Sequence, residues 1–417
     1  MRIDLSESAG TFAWERPERY WPSLTAATRE LDPPLAVLEL DALRHNTHDM
    51  LRRAAGKRIR VASKSVRVRD VLDAVLAVPG YGGVLAYTLP EALWLAMASE
   101  HNPAIEDVVV GYPTADRAAI RRLAGSPESA ARVTVMVDSI AQLDLIDSVV
   151  APDARESIRV CLELDSSWNS RTLGHLGVWR SPIHSPDDAR SLAAQIVARP
   201  GFQLVGMMGY EAQIAGQGDQ PAGRPAWGAT VRWMQKNSEA ELLERRAAAV
   251  AAVRSIADLE FVNGGGTGSL EFTSSDDSVT EIAAGSGLLG GHLFDNYRSF
   301  RPAPAAAFAL SVVRKPNDHT VTVLGGGWIA SGPPAADRMP QLAWPAGLTM
   351  VAREMAGEVQ SPLTGAAAPA LRPGDRIWLR HTKSGELSEH VNEFQLVEGG
   401  VIVGTAASYR GEGKAFL

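Results

Sequence analysis

Between Arg58 and Gly285 the sequence repeats one rhythm eight times: a short apolar run, then a segment of helical composition. The runs are RIRVAS (58–63), GGVLAY (82–87), DVVVGY (107–112), RVTVMVD (132–138), SIRVCLELD (157–165), FQLVGMMGY (202–210), LEFVNGG (259–265) and VTEIAAG (279–285). The segments between them, such as LPEALWLAMASE, TADRAAIRRLAG and NSEAELLERRAAAVAAVRSIA, are built from strong helix formers. Parallel strands need crossovers that return over the outside of the sheet, so eight such units predict a closed (β/α)8 TIM barrel over 35–302. The same alternation also allows an open, doubly wound sheet.

Outside this block the pattern changes. Residues 1–34 show no sustained period and end at the breaker Pro33-Pro34. The strand-like LAVLELD then leads into ALRHNTHDMLRRAAG, where Leu43, Met50, Leu51 and Gly56 predict an amphipathic helix with its C-cap. Beyond Arg301, alternating runs such as FALSVVRK, HTVTVLGGGW, DRIWLRHT, HVNEFQLV and GVIVGTAASY predict a mainly antiparallel β domain made of 303–417, joined by 1–34.

Composition narrows the partners. A formal charge of −7 without a basic stripe argues against nucleic acid. Cys161 is the single cysteine, so no internal disulfide forms and a reducing compartment fits. The N-terminal stretch carries acids where a signal peptide needs an apolar core, and no run approaches the roughly 20 apolar residues of a membrane span. The reading is a cytoplasmic protein with a small-molecule substrate and no membrane partner.

In a parallel barrel the functional groups lie at the carboxyl ends of the strands. The first strand ends RVASKS, which places Lys64 at the mouth, where burial and neighbouring cations favour a nucleophilic amine. A snorkelling lysine is the bland alternative. The seventh strand ends in Gly264, Gly265, Gly266 and Thr267, and the eighth in Gly285, Ser286 and Gly287. Two glycine turns on neighbouring strands suit a phosphate, although either alone suits a plain turn. Asp165, Arg171 and His175 follow the fifth strand, where a solvated loop is the alternative. Tyr210, Glu211 and Gln213 follow the sixth, with a core aromatic as the alternative for Tyr210. In the C-terminal domain RHTKSGELSEH gathers His381, Lys383, Glu386, Glu389 and His390, and strand alternation predicts that His381 and Lys383 face one side. A protonated lysine does not ligate metal, and a charged edge strand is the other reading.

These residues in this order resemble the fold-type III pyridoxal-phosphate enzymes, whose barrel is alanine racemase-like. The nearest branch in pattern is that of D-threonine aldolase and D-serine dehydratase, the amino acid deaminase/aldolase group. The resemblance implies pyridoxal 5′-phosphate as cofactor, Lys64 as its Schiff-base lysine, and VNGGGTGS and EIAAGSG as its phosphate loops. It also implies His175 and Tyr210 beside the cofactor, Tyr210 as a catalytic partner of Lys64, and a homodimer. Three positions depart from the family pattern. His175 stands where relatives carry an arginine, Gln213 in YEAQ replaces a histidine of Tyr-Glu-Gly-His, and HTK replaces a metal pair of the form His-x-Cys or His-x-Asp. His381 is left as the one candidate ligand for a divalent metal, which puts metal-assisted cleavage in doubt. Lys383 is then read as a fixed cation facing a carboxylate or phenolate. The implied activity is a lyase for a small D-3-hydroxy amino acid, by aldol cleavage or dehydration with deamination. A racemase and a non-catalytic cofactor-binding protein are the alternatives.

Overall fold

The computed structural model describes the whole chain except Met1, Arg2, Thr11, Pro334 and Ser384. Eight parallel strands, here numbered one to eight, span Arg58–Ala62, Tyr81–Ala86, Val108–Val110, Val133–Val137, Ile158–Glu163, Phe202–Gly209, Phe261–Gly264 and Glu281–Ala284. Strand eight pairs with strand one, Glu281 opposite Arg58 through Ala284 opposite Val61, so the sheet closes and the open alternative is ruled out. Alternate residues point opposite ways. Val108, Val110, Val133, Val135 and Val137 join the large cluster under the helices, whereas Val109, Met136, Cys161, Val205, Met208 and Phe261 form a separate one. Local caps start the helices: the Asp116 carboxylate accepts the Ala119 N–H at 2.9 Å, and Ser185 and Asp188 cap Pro186–Ala198 reciprocally.

The second domain is a mixed sheet around the long strand Ala306–Asn317, which pairs antiparallel with Leu35–Glu39, Thr320–Leu324 and Arg376–Arg380. Leu35–Glu39 also pairs in parallel with Glu393–Glu398. It therefore belongs to this sheet, whereas the sequence reading placed it at the head of the barrel segment. Gln341–Trp344, Leu348–Met350 and Gln360–Gly365 are further strands that the sequence pattern did not reveal, the last with Pro362 inside it. Residues 17–27 form a helix despite Pro22, because Tyr20, Trp21 and Leu24 pack on Leu35, Val37, Ala307 and Trp378. Among the described residues no helix is long and apolar enough to cross a membrane.

The sheet domain rests on the end of strand one. Ser388 Oγ donates to Val66 O at 2.7 Å, Tyr409 N–H to Arg67 O at 2.8 Å, and Arg67 pairs with Glu389. Beneath them Glu91 is fully buried and accepts the Tyr87 N–H at 2.7 Å and the Tyr409 hydroxyl at 3.0 Å. Burial lifts its pKa to about 7 against the hydrogen bonds from Ser63, Tyr87 and Tyr409. A carboxyl that holds its proton more tightly folded than unfolded contributes stability that is complete below pH 4.5 and lost as pH rises through about 7. Unfolding measured from pH 5 to 8 should therefore show a flatter stability profile for Glu91→Gln than for wild type, by on the order of 2 kcal/mol across the window. Parallel profiles would rule out this coupling.

Candidate active site

Strand one runs into a single turn, Ser63–Ser65, that presents Lys64 at the barrel mouth. The Ser63 hydroxyl donates to Leu85 O at 3.1 Å and the Arg67 Nε–H to Lys64 O at 2.9 Å, which fixes the backbone on either side. Lys64 Nζ donates to the Tyr112 hydroxyl at 2.9 Å. Tyr112 follows strand three, a position the sequence reading passed over although DVVVGY ends on it. On the far side Arg180 lies between two rings, its guanidinium carbon 5.2 Å from the Tyr112 centroid and 4.7 Å from that of Tyr210. Glu163, the last residue of strand five, comes within 3.6 Å of Arg180. A cleft of about 480 Å³ opens beside this group, lined by Lys64, Arg67, Tyr87, Tyr112, Thr114 and Phe416.

The charges act on one another. Burial opposes ionisation of Tyr112, but Lys64 and Arg180 outweigh it and bring the phenol below its ordinary range. Burial raises Tyr210, with Arg180 offsetting only part of the effect. Burial pushes Glu163 up to about 7, again partly offset by Arg180. The mouth thus holds an amine, an acidified phenol and a carboxyl poised near neutrality, which can store and pass protons.

The two glycine turns meet at the ends of strands seven and eight, next to strand one. The Thr267 hydroxyl lies 3.1 Å from the Ser286 hydroxyl and accepts the Gly287 N–H at 3.1 Å. Gly265 has a φ of +85°, and a Cβ there would fall 2.7 Å from Ile282 Cγ2. Gly285 abuts strand one, where a Cβ would meet Ala62 O at 2.4 Å, two residues before Lys64. Buried Glu211 anchors the first turn by accepting the Gly265 N–H at 2.9 Å and the Thr273 hydroxyl at 2.6 Å, with Arg246 3.5 Å away. Gly264 and Gly266 complete the turn, the Gly266 N–H donating to Ser269 Oγ at 3.2 Å.

Other residues singled out from the sequence lie elsewhere. His175 sits on a hairpin (Trp168–Ser170 with Gly174–Leu176), stacked on Trp179 and bonded to Asn169 at 3.1 Å. The cation between the tyrosines is Arg180, which a flexible-looking loop sequence gave no reason to select. Gln213 donates to Ser166 O and Ser238 Oγ at 2.7 and 2.8 Å and ties the strand-five loop to the helix Pro225–Arg254. Asp165 holds the Ser167 N–H and hydroxyl, and Arg171 is exposed. The strand expected to carry His381 and Lys383 on one face stops at Arg380, because the His381 and Thr382 carbonyls turn to accept the His292 and Leu293 N–H groups. His381 is buried, and burial holds its pKa well below the ordinary imidazole range, although a hydrogen bond to the Ala306 backbone acts the other way. Lys383 is half-buried, and burial, with Arg338 and Lys64 behind it, lowers its pKa from the ordinary lysine range. Among the described residues no group of three or more His, Cys, Asp or Glu is placed to hold a metal.

A closed parallel barrel with a primary amine at the end of strand one and glycine turns at the ends of the neighbouring strands seven and eight is what fold and site define. The chain belongs to the alanine racemase N-terminal domain family, whose profile matches residues 38–292. It is 27% identical over 261 residues to a 3-hydroxy-D-aspartate aldolase of Paracoccus denitrificans, a match covering 62% of this chain and 60% of that protein. The chain thus spans about 60% of the length of the curated relatives it matches. Among solved structures, a D-threonine aldolase from Filomicrobium marinum superposes with a TM-score of 0.73 at 21% identity, covering 92% of this chain and 96% of that one. A D-threo-3-hydroxyaspartate dehydratase from Delftia sp. HT23 gives 0.69 at 20% identity, covering 93% and 98%. At these identities the likeness is one of fold.

The contact between Gly285 and Ala62 O sets a test of the cradle. Gly285→Ala should force the two strands apart, lowering stability by roughly 1–3 kcal/mol and weakening phosphate binding. Thermal unfolding with and without inorganic phosphate measures both; an unchanged Tm with full phosphate stabilisation contradicts the geometry.

Proposed function

We propose that the protein is a pyridoxal-phosphate-dependent lyase acting at the α-carbon of a small D-3-hydroxy amino acid, by aldol cleavage or by dehydration with deamination. The observation that carries this reading is the amine of Lys64, bonded to Tyr112 at the end of strand one, with the glycine turns of strands eight and seven on the neighbouring strand ends. The donor set suits that cofactor. Lys64 offers the primary amine for its aldehyde, and the hydroxyls of Thr267 and Ser286 between the two turns suit its phosphate. Arg180 offers a cation for its ring oxygen. The relatives, aldolases and a dehydratase of D-3-hydroxy amino acids, support the reaction class.

Bound there, the cofactor supplies an electron sink for the bond that breaks. The chain's own residues do the rest. Lys64 Nζ accepts or returns a proton on one face of the substrate, and Tyr112 is its proton partner through the 2.9 Å bond. Lys64 and Arg180, against burial, hold that phenol below its ordinary range, which eases its release of a proton. Glu163 holds Arg180 in place between the rings and takes up a proton near pH 7. Tyr210 walls the site between Arg180 and Gly266, a Cβ on which would lie 3.2 Å from its ring.

The purified protein should show a visible band that borohydride bleaches and D-threonine or D-serine perturbs, and Lys64→Ala should lose it. A colourless wild type after reconstitution with the cofactor sinks the proposal. Tyr112→Phe should keep the band and lower kcat roughly a hundredfold or more; activity within twofold of wild type removes Tyr112 from the proton path.

A further inference from the structure

The amine and the phenol that face each other in the site stand on different strands, and strand two runs between them. Lys64 follows strand one and Tyr112 follows strand three. The 2.9 Å bond between them therefore depends on what spaces the two strand ends. Three successive residues where strand two ends do this. The Leu85 carbonyl accepts the hydroxyl of Ser63, which precedes Lys64, at 3.1 Å. The Ala86 carbonyl accepts the N–H of Gly111, which precedes Tyr112, at 2.8 Å. The Tyr87 N–H donates to Glu91 Oε2 at 2.7 Å. A Cβ on Gly111 would fall 3.1 Å from the Leu85 side chain, so strand three has little room to slide against this junction.

The other oxygen of the fully buried Glu91 carboxyl accepts the Tyr409 hydroxyl at 3.0 Å. Tyr409 comes from the sheet domain, is buried, and meets the Trp94 ring edge-on at 4.8 Å. Its own N–H donates to the carbonyl of Arg67, three residues beyond Lys64, at 2.8 Å. One residue thus grips the lysine turn with its backbone and, through Glu91, the end of strand two with its side chain. A buried carboxyl holding two donors is itself held by them, and removing either leaves an oxygen unsatisfied in the interior. We propose that Glu91 and Tyr409 are positioning residues for the pair Lys64 and Tyr112: they fix the end of strand two, and with it the reach of the amine across that strand to the phenol. Their action runs through the carbonyls of Leu85 and Ala86. Only the turnover arm of the test rests on the lyase reading above.

The test reads the titration of Tyr112 in the protein as purified. Lys64, Arg180 and Tyr210 are the groups that face this phenol, and the first two lower its pKa against burial. Drawing the Lys64 nitrogen away leaves Arg180 in place and lets the phenol rise towards its ordinary range. In Tyr409→Phe and Glu91→Ala the tyrosinate absorbance of Tyr112, taken as a difference against the same variant carrying Tyr112→Phe, should titrate roughly one unit higher than in wild type. With D-threonine, kcat should fall roughly tenfold or more while KM stays within about threefold. Glu91→Gln keeps an acceptor for the Tyr87 N–H and a partner for Tyr409, so it should hold the wild-type titration and stay within about threefold in kcat. Tyr409→Phe removes one oxygen and keeps the ring, so it reports even where Glu91→Ala does not fold. An unmoved Tyr112 titration in Tyr409→Phe overturns the proposal, whatever happens to kcat. Equal shifts in Glu91→Gln and Glu91→Ala would assign the effect to the charge of Glu91 and overturn it too. If wild type consumes no amino acid, the lyase reading falls, and the titration still decides the positioning.

Discussion

Closure of the barrel depends on one buried ionic cluster. Arg60 of strand one is 1% exposed and donates to Glu281 of strand eight at 2.6 Å and to Asp107, at the foot of strand three, at 2.7 and 2.8 Å. Asn263 of strand seven adds a bond to Glu281 at 2.9 Å, and the Phe261 ring lies 5.1 Å from the guanidinium. Removing one member of such a set leaves a buried charge uncompensated, at about 3–5 kcal/mol. The cluster is satisfied only when strands one, three, seven and eight stand in this register. That register also brings Gly285 onto Ala62, and so sets the Lys64 turn beside the glycine turn of strand eight. Structural specificity at the foot of the barrel and chemistry at its mouth share one alignment.

Above that alignment the sheet domain contributes through contacts with backbone. Ser388, Tyr409 and Gly385 all press on residues 64–67, and Arg67 itself adopts a φ of +53° there. A left-handed arginine is strained, and its bonds to Lys64 O and Glu389 hold it in that conformation. The lysine turn is thus clamped from below by strand pairing and from above by the second domain. The electrostatics at the mouth follow from this clamp, because Lys64 and Arg180 are held close despite their charge while Tyr112 and Glu163 adjust their proton affinities around them.

The alternation of apolar runs was legible because buried parallel strands have no solvent face to disguise them, and every strand of the barrel starts and ends within a few residues of its expected place. Lys64 and the glycine turns were legible for the same reason: they sit at the ends of those strands. Tyr112 was at hand in the same way and was overlooked, since a tyrosine closing an apolar run reads as core. The helix around Pro22 and the strand around Pro362 were hidden, because tertiary packing overrode local signals against regular structure.

By itself, then, the sequence determined the barrel, the rim position of the amine and the glycine turns, all of which follow from the period of hydrophobic residues along a single chain. Only the tertiary structure decided that Arg180 and not His175 stands between the tyrosines, that Gln213 braces a helix, and that Leu35–Glu39 joins the second sheet. The reason is physical. Loop side chains have no periodicity to reveal their direction, and the energy of a charge depends on which distant charges folding brings within a few ångströms.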